Sequence, residues 1–276
     1  FILYYDDSGL YNRIQTSGSC GFYSYFNLAL NMKILVCISH VPDTTSKINF
    51  TDNDSKFDTN GVQFVINPYD EFVLTRAMWF KEKQGASITV INVGNSSTEP
   101  TLRKALAIGA DDAIRVNAEA TDGFFVAKQI AEVAKDGNYD LILAGKESID
   151  YNGASVAAMI AEYLDLPFIS FGTKMEVNEN IATINRDIEG GEEVVEVATP
   201  FVLSAAKGMA EQRIPNMRGI MAARTKPLTV VSPSSNDALT SFETYSLPAA
   251  KTACKMIDPE NMDELVQLLH NEAKVI

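Results

Sequence analysis

The chain contains few of the side chains from which metal sites and disulfide frameworks are built. Among its 276 residues are three cysteines and two histidines. Cys20, Cys37 and Cys254 lie far apart with no Cys-x-x-Cys spacing, which argues against both a zinc site and a disulfide framework. A reduced, cytoplasmic location is therefore the simplest expectation. Cys37 lies within an apolar run, where a thiol is expected to be buried and inert.

Basic charge and long hydrophobic runs are also scarce. Lys and Arg together number 23 against 36 Asp and Glu, which gives a formal net charge of −13. Such a charge argues against nucleic acid or an anionic membrane surface as a partner, because both would repel the chain. No run approaches 18 apolar residues, so membrane insertion is not predicted. The apolar fraction of 46% is nevertheless sufficient for a sizeable core.

The motifs of common nucleotide-cleaving and hydrolytic enzymes are missing. The sequence has no GxxxxGK[ST], no GxGxxG after its first strand and no GxSxG. Neither His40 nor His270 has a plausible catalytic Ser or Cys partner in its sequence context. Nothing therefore nominates a nucleophile or a general base, which favours a carrier, a sensor or a structural subunit over an enzyme.

The first 31 residues differ from the remainder. They lack Lys, Glu and Pro, are rich in aromatic residues and show no periodicity. Because they also lack a basic start and a small-residue cleavage site, a signal peptide fits poorly. Met32 then begins a regular apolar strand. Our hypothesis is that 1–31 is a non-native or disordered upstream segment and that the functional protein begins at Met32.

Apolar strands alternate with periodic helices from Met32 onward. Strands are predicted at 33–39, 87–93, 114–116, 141–144 and 201–205, and helices at 71–83, 100–108, 124–134 and 154–164. Nearly continuous apolar strands of this kind are buried on both faces of a parallel sheet. The pattern predicts an α/β fold with a doubly wound, mostly parallel, Rossmann-like sheet and right-handed crossovers. Asn67 is read as a cap or turn residue and Pro68 as the first residue of its helix.

The second half of the chain changes character. After a strand at 167–169, alternating segments at 174–177, 181–186 and 192–197 predict an antiparallel meander. The stretch 207–224 has little periodicity and mixes Met and Ile with Arg, as in a partner-binding loop or, equally, in core packing. Residues 32–229 are expected to form one nucleotide-binding domain. Residues 230–276 are expected to form an arm on a second subunit, ending in a helix capped by Asp258. Between the first two strands, a hairpin at 46–50 and 62–66 is predicted around Asn60-Gly61.

The stretch 139–164 is the centre of the prediction. A strand ends at Gly145, a polar loop follows to Gly153, and a helix begins near Ala154. At the carboxyl edge of a parallel sheet, backbone N–H groups and the helix dipole suit a phosphate. Both glycines are expected to leave room for a ligand, and Asp150 to accept ribose hydroxyls. A purely structural loop is the competing interpretation, since most such units bind nothing.

Several separated motifs resemble those of the electron transfer flavoprotein beta subunit, over essentially all of 32–276. The run INRDIEGGEEVVEVATPFVLS at 184–204 is similar to the family signature, with Ser204 as a minor departure. NPYDE at 67–71, ALAIGAD at 105–111 and GKESID at 145–150 match further family positions. The resemblance implies an adenine nucleotide alpha-hydrolase-like fold and a heterodimer whose alpha subunit holds most of the FAD. The beta subunit itself holds a structural AMP.

The resemblance also implies which residues line the AMP pocket. Carried over position by position, they are Cys37, Asn67, Pro68, Tyr69, Asp70, Val93, Gly145, Lys146, Glu147, Ser148, Ile149, Asp150, Tyr151, Asn152, Gly153, Ala154, Ser155 and Val156. Family members often have Asn, Gln and Thr at the last three positions. Phosphate contacts are therefore expected from Ser155 and from the backbone N–H groups at the helix start.

Two partner surfaces follow from the same resemblance. The loop 211–221 corresponds to a recognition loop that docks on acyl-CoA dehydrogenases, with Met217 as the apolar anchor. Its candidate contact residues are Glu211, Arg213, Ile214, Met217, Ile220 and Met221. Asp187 matches an acidic residue that pairs with the alpha subunit, although a plain turn residue would look the same.

The function implied is that of an electron carrier subunit rather than an enzyme. It would accept electrons from dehydrogenases of fatty acid beta-oxidation and pass them, through FAD, to a quinone oxidoreductase. One alternative is a bifurcating flavoprotein whose beta site holds a second FAD. That subclass tends to have Asp-Thr and Gln-Val-Gly-Pro after this loop, which 151–156 lacks. A less favoured alternative is a stand-alone nucleotide-binding stress protein, which would need a glycine-rich phosphate loop and no arm.

Overall fold

The computed structural model describes residues 32–235, 237–250 and 254–276. The predicted upstream segment 1–31 lies outside the described residues. The described residues divide into a larger unit of 32–47 and 59–241 and a smaller unit of 48–58 and 242–276. No helix among the described residues is both long enough and apolar enough to cross a membrane.

The larger unit is built on a nine-stranded sheet, counted over the described residues. The strands of the chain are β1 Lys33–Cys37, β2 His40–Pro42, β3 Phe50–Thr51, β4 Lys56–Phe57, β5 Phe64–Ile66, β6 Ser87–Val93, β7 Asp112–Val116, β8 Leu141–Gly145, β9 Phe168–Asn178, β10 Ile181–Ile188, β11 Gly191–Ala198, β12 Phe201–Ala205 and β13 Leu228–Val231. The order in the sheet is β11-β10-β9-β12-β8-β1-β6-β7-β13. β10 is antiparallel to both β9 and β11, whereas the other neighbours run parallel. The predicted mostly parallel sheet with an antiparallel meander is confirmed.

Helices cover both faces of this sheet. The helices of the larger unit are α1 Pro68–Gln84, α2 Glu99–Ile108, α3 Gly123–Ala134, α4 Val156–Leu164 and α5 Met217–Ala223, with a short 3-10 turn at Ser96–Thr98. The smaller unit contains α6 Met262–Gln267 and a π-helical turn at Leu268–Ala273. Along β1, Ile34 and Val36 face a core cluster shared with α1 and α2, while Leu35 and Cys37 face one shared with α3 and α4. Alternation of this kind is the period-2 geometry of a strand buried on both faces.

The residues at both ends of helix α1 favour the start and the end that the structure shows. Pro68 occupies the first helical position, as predicted, and its missing N–H costs nothing there. Asp70 and Glu71 lie in the first turn, where the helix dipole favours negative charge. Gly85 ends the helix with φ of 75°, a left-handed conformation in which glycine carries no Cβ penalty.

The region between β1 and α1 differs from the prediction. The prediction of a hairpin at 46–50 and 62–66 is wrong, because β5 pairs with β2 and not with residues 46–50. His40 stacks on Phe64 with ring centroids 4.4 Å apart, which supports this register. In the smaller unit, β3 pairs with β4, and Phe50 stacks on Tyr245 at 5.0 Å.

Four further elements differ from the sequence prediction. The strands at 167–169 and 174–177 are one continuous strand, β9. The stretch 207–224, predicted to lack regular structure, contains helix α5. The final helix is capped by Asn261, whose side chain accepts from the backbone N–H of Glu264, and not by Asp258. Strand β13 lies across the predicted domain boundary at 229 and pairs with β7.

Candidate functional site

Asp70 joins the carboxyl ends of two neighbouring parallel strands. Its carboxylate accepts the backbone N–H of Ser39, just beyond β1, at 2.7 Å and that of Gly145, the end of β8, at 2.9 Å. The side chain projects from the first turn of α1, and Asp70 is only 3% exposed. One buried carboxylate therefore holds the ends of β1 and β8 and the start of α1 in fixed relation.

Burial dominates the acidity of this carboxyl group. It raises the pKa of Asp70 to about 6, although the hydrogen bonds from Ser39, Asn67 and Gly145 act in the opposite direction. The pKa of the Cys37 thiol is also raised, first by burial and then by the nearby Asp70 charge. The thiol is therefore protonated at neutral pH, and the expectation that Cys37 is buried is confirmed.

Asn67 has a role that the sequence did not indicate. It occupies the N-cap position of α1 as predicted, but its side chain makes no capping hydrogen bond. The side-chain amide instead donates to the carbonyl of Glu147 at 2.8 Å, and its oxygen accepts from Ile149 N at 3.4 Å. Asn67 thus fixes the start of the loop that follows β8, from a position 80 residues earlier in the chain.

The loop after β8 closes on itself and projects outward. Ser148 N donates to Gly153 O at 3.1 Å, and Asn152 adopts a left-handed φ of 51° between them. Residues 150–155 are exposed. Lys146 pairs with Glu147 at 3.2 Å, so this carboxylate is balanced next to the strand end. The ammonium of Lys146 also lies 4.9 Å from the ring centroid of Tyr69.

The two glycines that bracket the loop differ in their surroundings. A Cβ at Gly145 would lie 2.5 Å from Asp70 Oδ1 and 2.6 Å from Tyr69 Cβ, whereas one at Gly153 would meet only Ser148 Oγ at 3.8 Å. The prediction that both glycines leave space for a ligand is wrong for Gly145, where the missing side chain admits Asp70 and Tyr69. Gly153 does border open space.

Helix α4 begins next to this loop and leaves its first turn free of a side-chain cap. It starts at Val156, two residues later than predicted, with Ser155 at the N-cap and no capping hydrogen bond from its side chain. Ser155 is exposed, and a Cβ at Gly123 would lie 3.4 Å from its hydroxyl. An uncapped helix start presents N–H groups and a partial positive charge, so these residues fit a phosphate group.

The adjoining end of β6 completes the edge. Val93 is 5% exposed, and its neighbour Asn92 is 4% exposed. Asn92 donates to Ile38 O at 2.8 Å, while its side-chain oxygen is buried without a hydrogen-bond partner among the described residues. Sequence reasoning missed Asn92 and Ser39. A polar residue at the end of an otherwise apolar strand was the signal that could have identified them.

The structure thus brings the predicted nucleotide residues together at one edge of the sheet. The candidate partner loop lies elsewhere, against α1 and α2. Arg213 forms a bidentate pair with Glu82, at 2.6 and 2.9 Å, and so holds the loop against α1. Met209 is 4% exposed and belongs to the core, whereas Ile214 is 93% and Met217 is 73% exposed. Of the other residues carried over, Met221, Ile220, Glu211 and Asp187 are exposed as well.

Comparison with known proteins identifies the family. A model of the electron transfer flavoprotein domain matches residues 54–236. The electron transfer flavoprotein subunit beta of Bacillus subtilis is 36% identical over 260 residues, covering 89% of this chain and 100% of the relative. The subunit of the same name from Syntrophomonas wolfei is 36% identical over 251 residues, covering 89% and 99%.

A differently named relative has a similar extent. The acryloyl-CoA reductase electron transfer subunit gamma of Anaerotignum propionicum is 30% identical over 230 residues, covering 80% of this chain and 86% of the relative. The domain match covers Asp70, the loop before α4 and the stretch 211–221, and the relatives extend over most of the chain. The chain belongs to the electron transfer flavoprotein beta subunit family.

Proposed function

We propose that the chain is the beta subunit of a heterodimeric electron transfer flavoprotein of the non-bifurcating type. It accepts electrons from acyl-CoA and related dehydrogenases and delivers them to a quinone oxidoreductase, through FAD held mainly by an alpha subunit. It binds AMP as a structural group at the carboxyl edge of its sheet. An electron transfer role is common to the family. The observation that carries the finer proposal is the linked arrangement of Asp70, Asn67 and the loop before α4.

The residues of this edge have different roles in binding a nucleotide. The first turn of α4 supplies the N–H groups and partial positive charge for a phosphate, with the Ser155 hydroxyl beside it. The exposed carboxylate of Asp150 is available to ribose hydroxyls. Asp70 and Asn67 are occupied with backbone groups and act by holding the strand ends and loop in place. FAD, when bound, supplies the one- and two-electron redox chemistry.

A bifurcating flavoprotein is the second candidate. The Anaerotignum relative is named as an electron transfer subunit of an acryloyl-CoA reductase, so partners other than dehydrogenases occur among similar proteins. The loop at 150–155 is exposed and does not by itself enclose a mononucleotide. Both features are compatible with a second FAD. The stand-alone stress protein is not proposed, since the chain belongs to the beta subunit family.

Nucleotide content distinguishes the two candidates. The full chain is co-expressed with its alpha partner, the purified complex is denatured, and released AMP and FAD are quantified by chromatography. We expect one AMP and one FAD per heterodimer. Two FAD and no AMP would establish the bifurcating type, and the edge residues would then be FAD contacts. A chain that purifies without an alpha partner and without either nucleotide would contradict both proposals.

The exposed methionine of α5 gives a test of dehydrogenase docking. Met217→Ala is expected to lower kcat/KM for electron transfer from an acyl-CoA dehydrogenase by at least about tenfold, because a buried apolar anchor contributes roughly 2 kcal/mol or more to an interface. AMP, FAD and alpha-subunit content should be unchanged. Val230→Ala, at a half-exposed position of β13, is the control. Equal kinetics for Met217→Ala and wild type would exclude Met217 as an anchor.

A further inference from the structure

A groove with a positive rim lies between α2 and α5. It has a cavity volume of about 550 Å³. We call its five apolar residues the floor and its three basic residues the rim. The lining consists of Pro100, Ala107, Pro215, Ile220 and Ala223 together with Arg103, Lys104 and Arg224. No acidic side chain of the described ranges lines it, although the whole chain has a net charge of −13.

Much of the positive charge at this rim is not neutralised. Lys104 pairs with Glu71 at 2.6 Å. Arg103 instead donates to the carbonyls of Ala223 and Lys226, both at 2.8 Å, and carbonyls carry no net charge to balance a guanidinium. Arg224 is exposed, and within the part of the chain that the structure describes it has no ion-pair partner. An incoming carboxylate would therefore find two uncompensated guanidinium groups over an apolar floor.

The groove is fixed in place by backbone packing. A Cβ at Gly219 would collide with the carbonyl oxygen of Ala107, so α5 lies directly on the backbone of α2. Asn216 accepts the backbone N–H of Gly219 at 2.8 Å and so caps the start of α5. Arg103 holds the carbonyls at its other end. A preorganised groove of this kind loses little conformational entropy when it is filled.

We propose that this groove receives an acidic segment of the protein electron donor, with the exposed Met217 and Met221 of α5 contacting the same partner beside it. Charge complementarity identifies the occupant, because a basic rim over an apolar floor fits a segment that carries both carboxylates and apolar side chains. The groove also adjoins the exposed apolar residues of the candidate docking loop. The inference rests on the proposed function and adds the chemistry of the partner surface.

Matched charge reversals at the two ends of α5 test the groove, since Arg218 lies in its first turn and Arg224 directly follows its last residue. Arg224→Glu and Arg218→Glu change the net charge equally, but only Arg224 lines the groove. In the purified heterodimer, Arg224→Glu is expected to raise the KM for transfer from an acyl-CoA dehydrogenase by about tenfold, with kcat, AMP and FAD unchanged. Arg218→Glu should raise it by less than about threefold. Arg224→Lys, which keeps the charge, should stay close to wild type, and added salt should narrow the gap between Arg224→Glu and wild type.

Each other outcome overturns the inference. Equal KM increases in the two Glu variants would mean general electrostatic steering without a specific groove. Inhibition of the wild type by inorganic phosphate at constant ionic strength, absent in Arg224→Glu, would identify a small-anion site instead. If electron transfer were unchanged in Arg224→Glu but slower in Met217→Ala, the proposal for the groove would be refuted while docking through Met217 would stand. If electron transfer were unchanged in both variants, the proposal that the dehydrogenase docks on α5 would be refuted as well.

Discussion

Gly145→Ala is expected to lower the free energy of unfolding by about 3 kcal/mol or more. An added Cβ would lie 2.5 Å from Asp70 Oδ1, 2.6 Å from Tyr69 Cβ and 2.9 Å from the backbone carbonyl carbon of Tyr69. Overpacking against atoms that cannot move freely costs roughly 1–3 kcal/mol. Displacing Asp70 also weakens its 2.9 Å bond to Gly145 N and leaves a buried donor unpaired, for roughly 1–3 kcal/mol more.

Gly153→Ala is the matched control at the other end of the same loop. Its Cβ would meet only Ser148 Oγ, at 3.8 Å, which is ordinary van der Waals contact. The change should therefore shift the free energy of unfolding by no more than about 1 kcal/mol. Urea denaturation of both variants measures the difference. Equal losses would show that the loop, and not the Asp70 junction, is the sensitive feature.

This pair illustrates why sequence alone predicts where the candidate site lies but not how it is constructed. Gly145 and Gly153 occupy equivalent positions at the ends of one polar loop, and nothing local distinguishes them. What differs is contact with Asp70, which lies 75 residues away from Gly145. Asn67 is a similar case, because its bond to Glu147 O depends on tertiary structure that no local pattern encodes.

The repeating elements were predictable because their burial is uniform. The sequence predicts strand β6 with the bounds that the structure shows, since SITVINV is mostly apolar and its last four residues are all buried. Helix α5 was missed because its seven residues expose most of their apolar side chains and so show no amphipathic period. Its position follows from the Asn216 cap and the contact between Gly219 and Ala107.

The prediction for the irregular segment around Asn60-Gly61 was wrong for a related reason. The Asn60-Gly61 pair is a strong hairpin signal. In the structure, the strand that follows it pairs with His40–Pro42, where the stacking of His40 on Phe64 adds to the backbone hydrogen bonds. A turn signal specifies where the chain bends, but the choice of partner strand depends on contacts made after the bend.

The second large effect is a pH dependence of stability at Asp70 that is opposite in sign to that of a carboxyl group with a lowered pKa. Burial raises its pKa from 3.8 to about 6, so the protonated form is favoured in the folded state. Between about pH 4 and pH 6, the folded state keeps a proton that the unfolded state releases, and stability from this group falls as pH rises. A shift of about two pKa units corresponds to about 3 kcal/mol over this window.

Comparison with Asp70→Asn isolates this contribution from the other carboxylates. The amide retains one acceptor, so the N–H of Ser39 or Gly145 faces an NH₂ group, which costs roughly 1–3 kcal/mol. We expect the stability advantage of the wild type over Asp70→Asn to be larger at pH 4 than at pH 7, by about 2–3 kcal/mol. Urea denaturation of the full chain at both pH values measures it.

Asp43→Asn provides a control of opposite sign. The pKa of Asp43 is lowered by hydrogen bonds from the side chain and backbone of Thr45, so its stabilising contribution is lost as pH falls. The advantage of the wild type over Asp43→Asn should therefore grow as pH rises through the ordinary pKa of 3.8, from about pH 3 to pH 5. If the advantage over Asp70→Asn grew in the same direction, the two N–H donors would outweigh burial at Asp70. The junction between β1 and β8 would then depend on a charged carboxylate throughout this pH range.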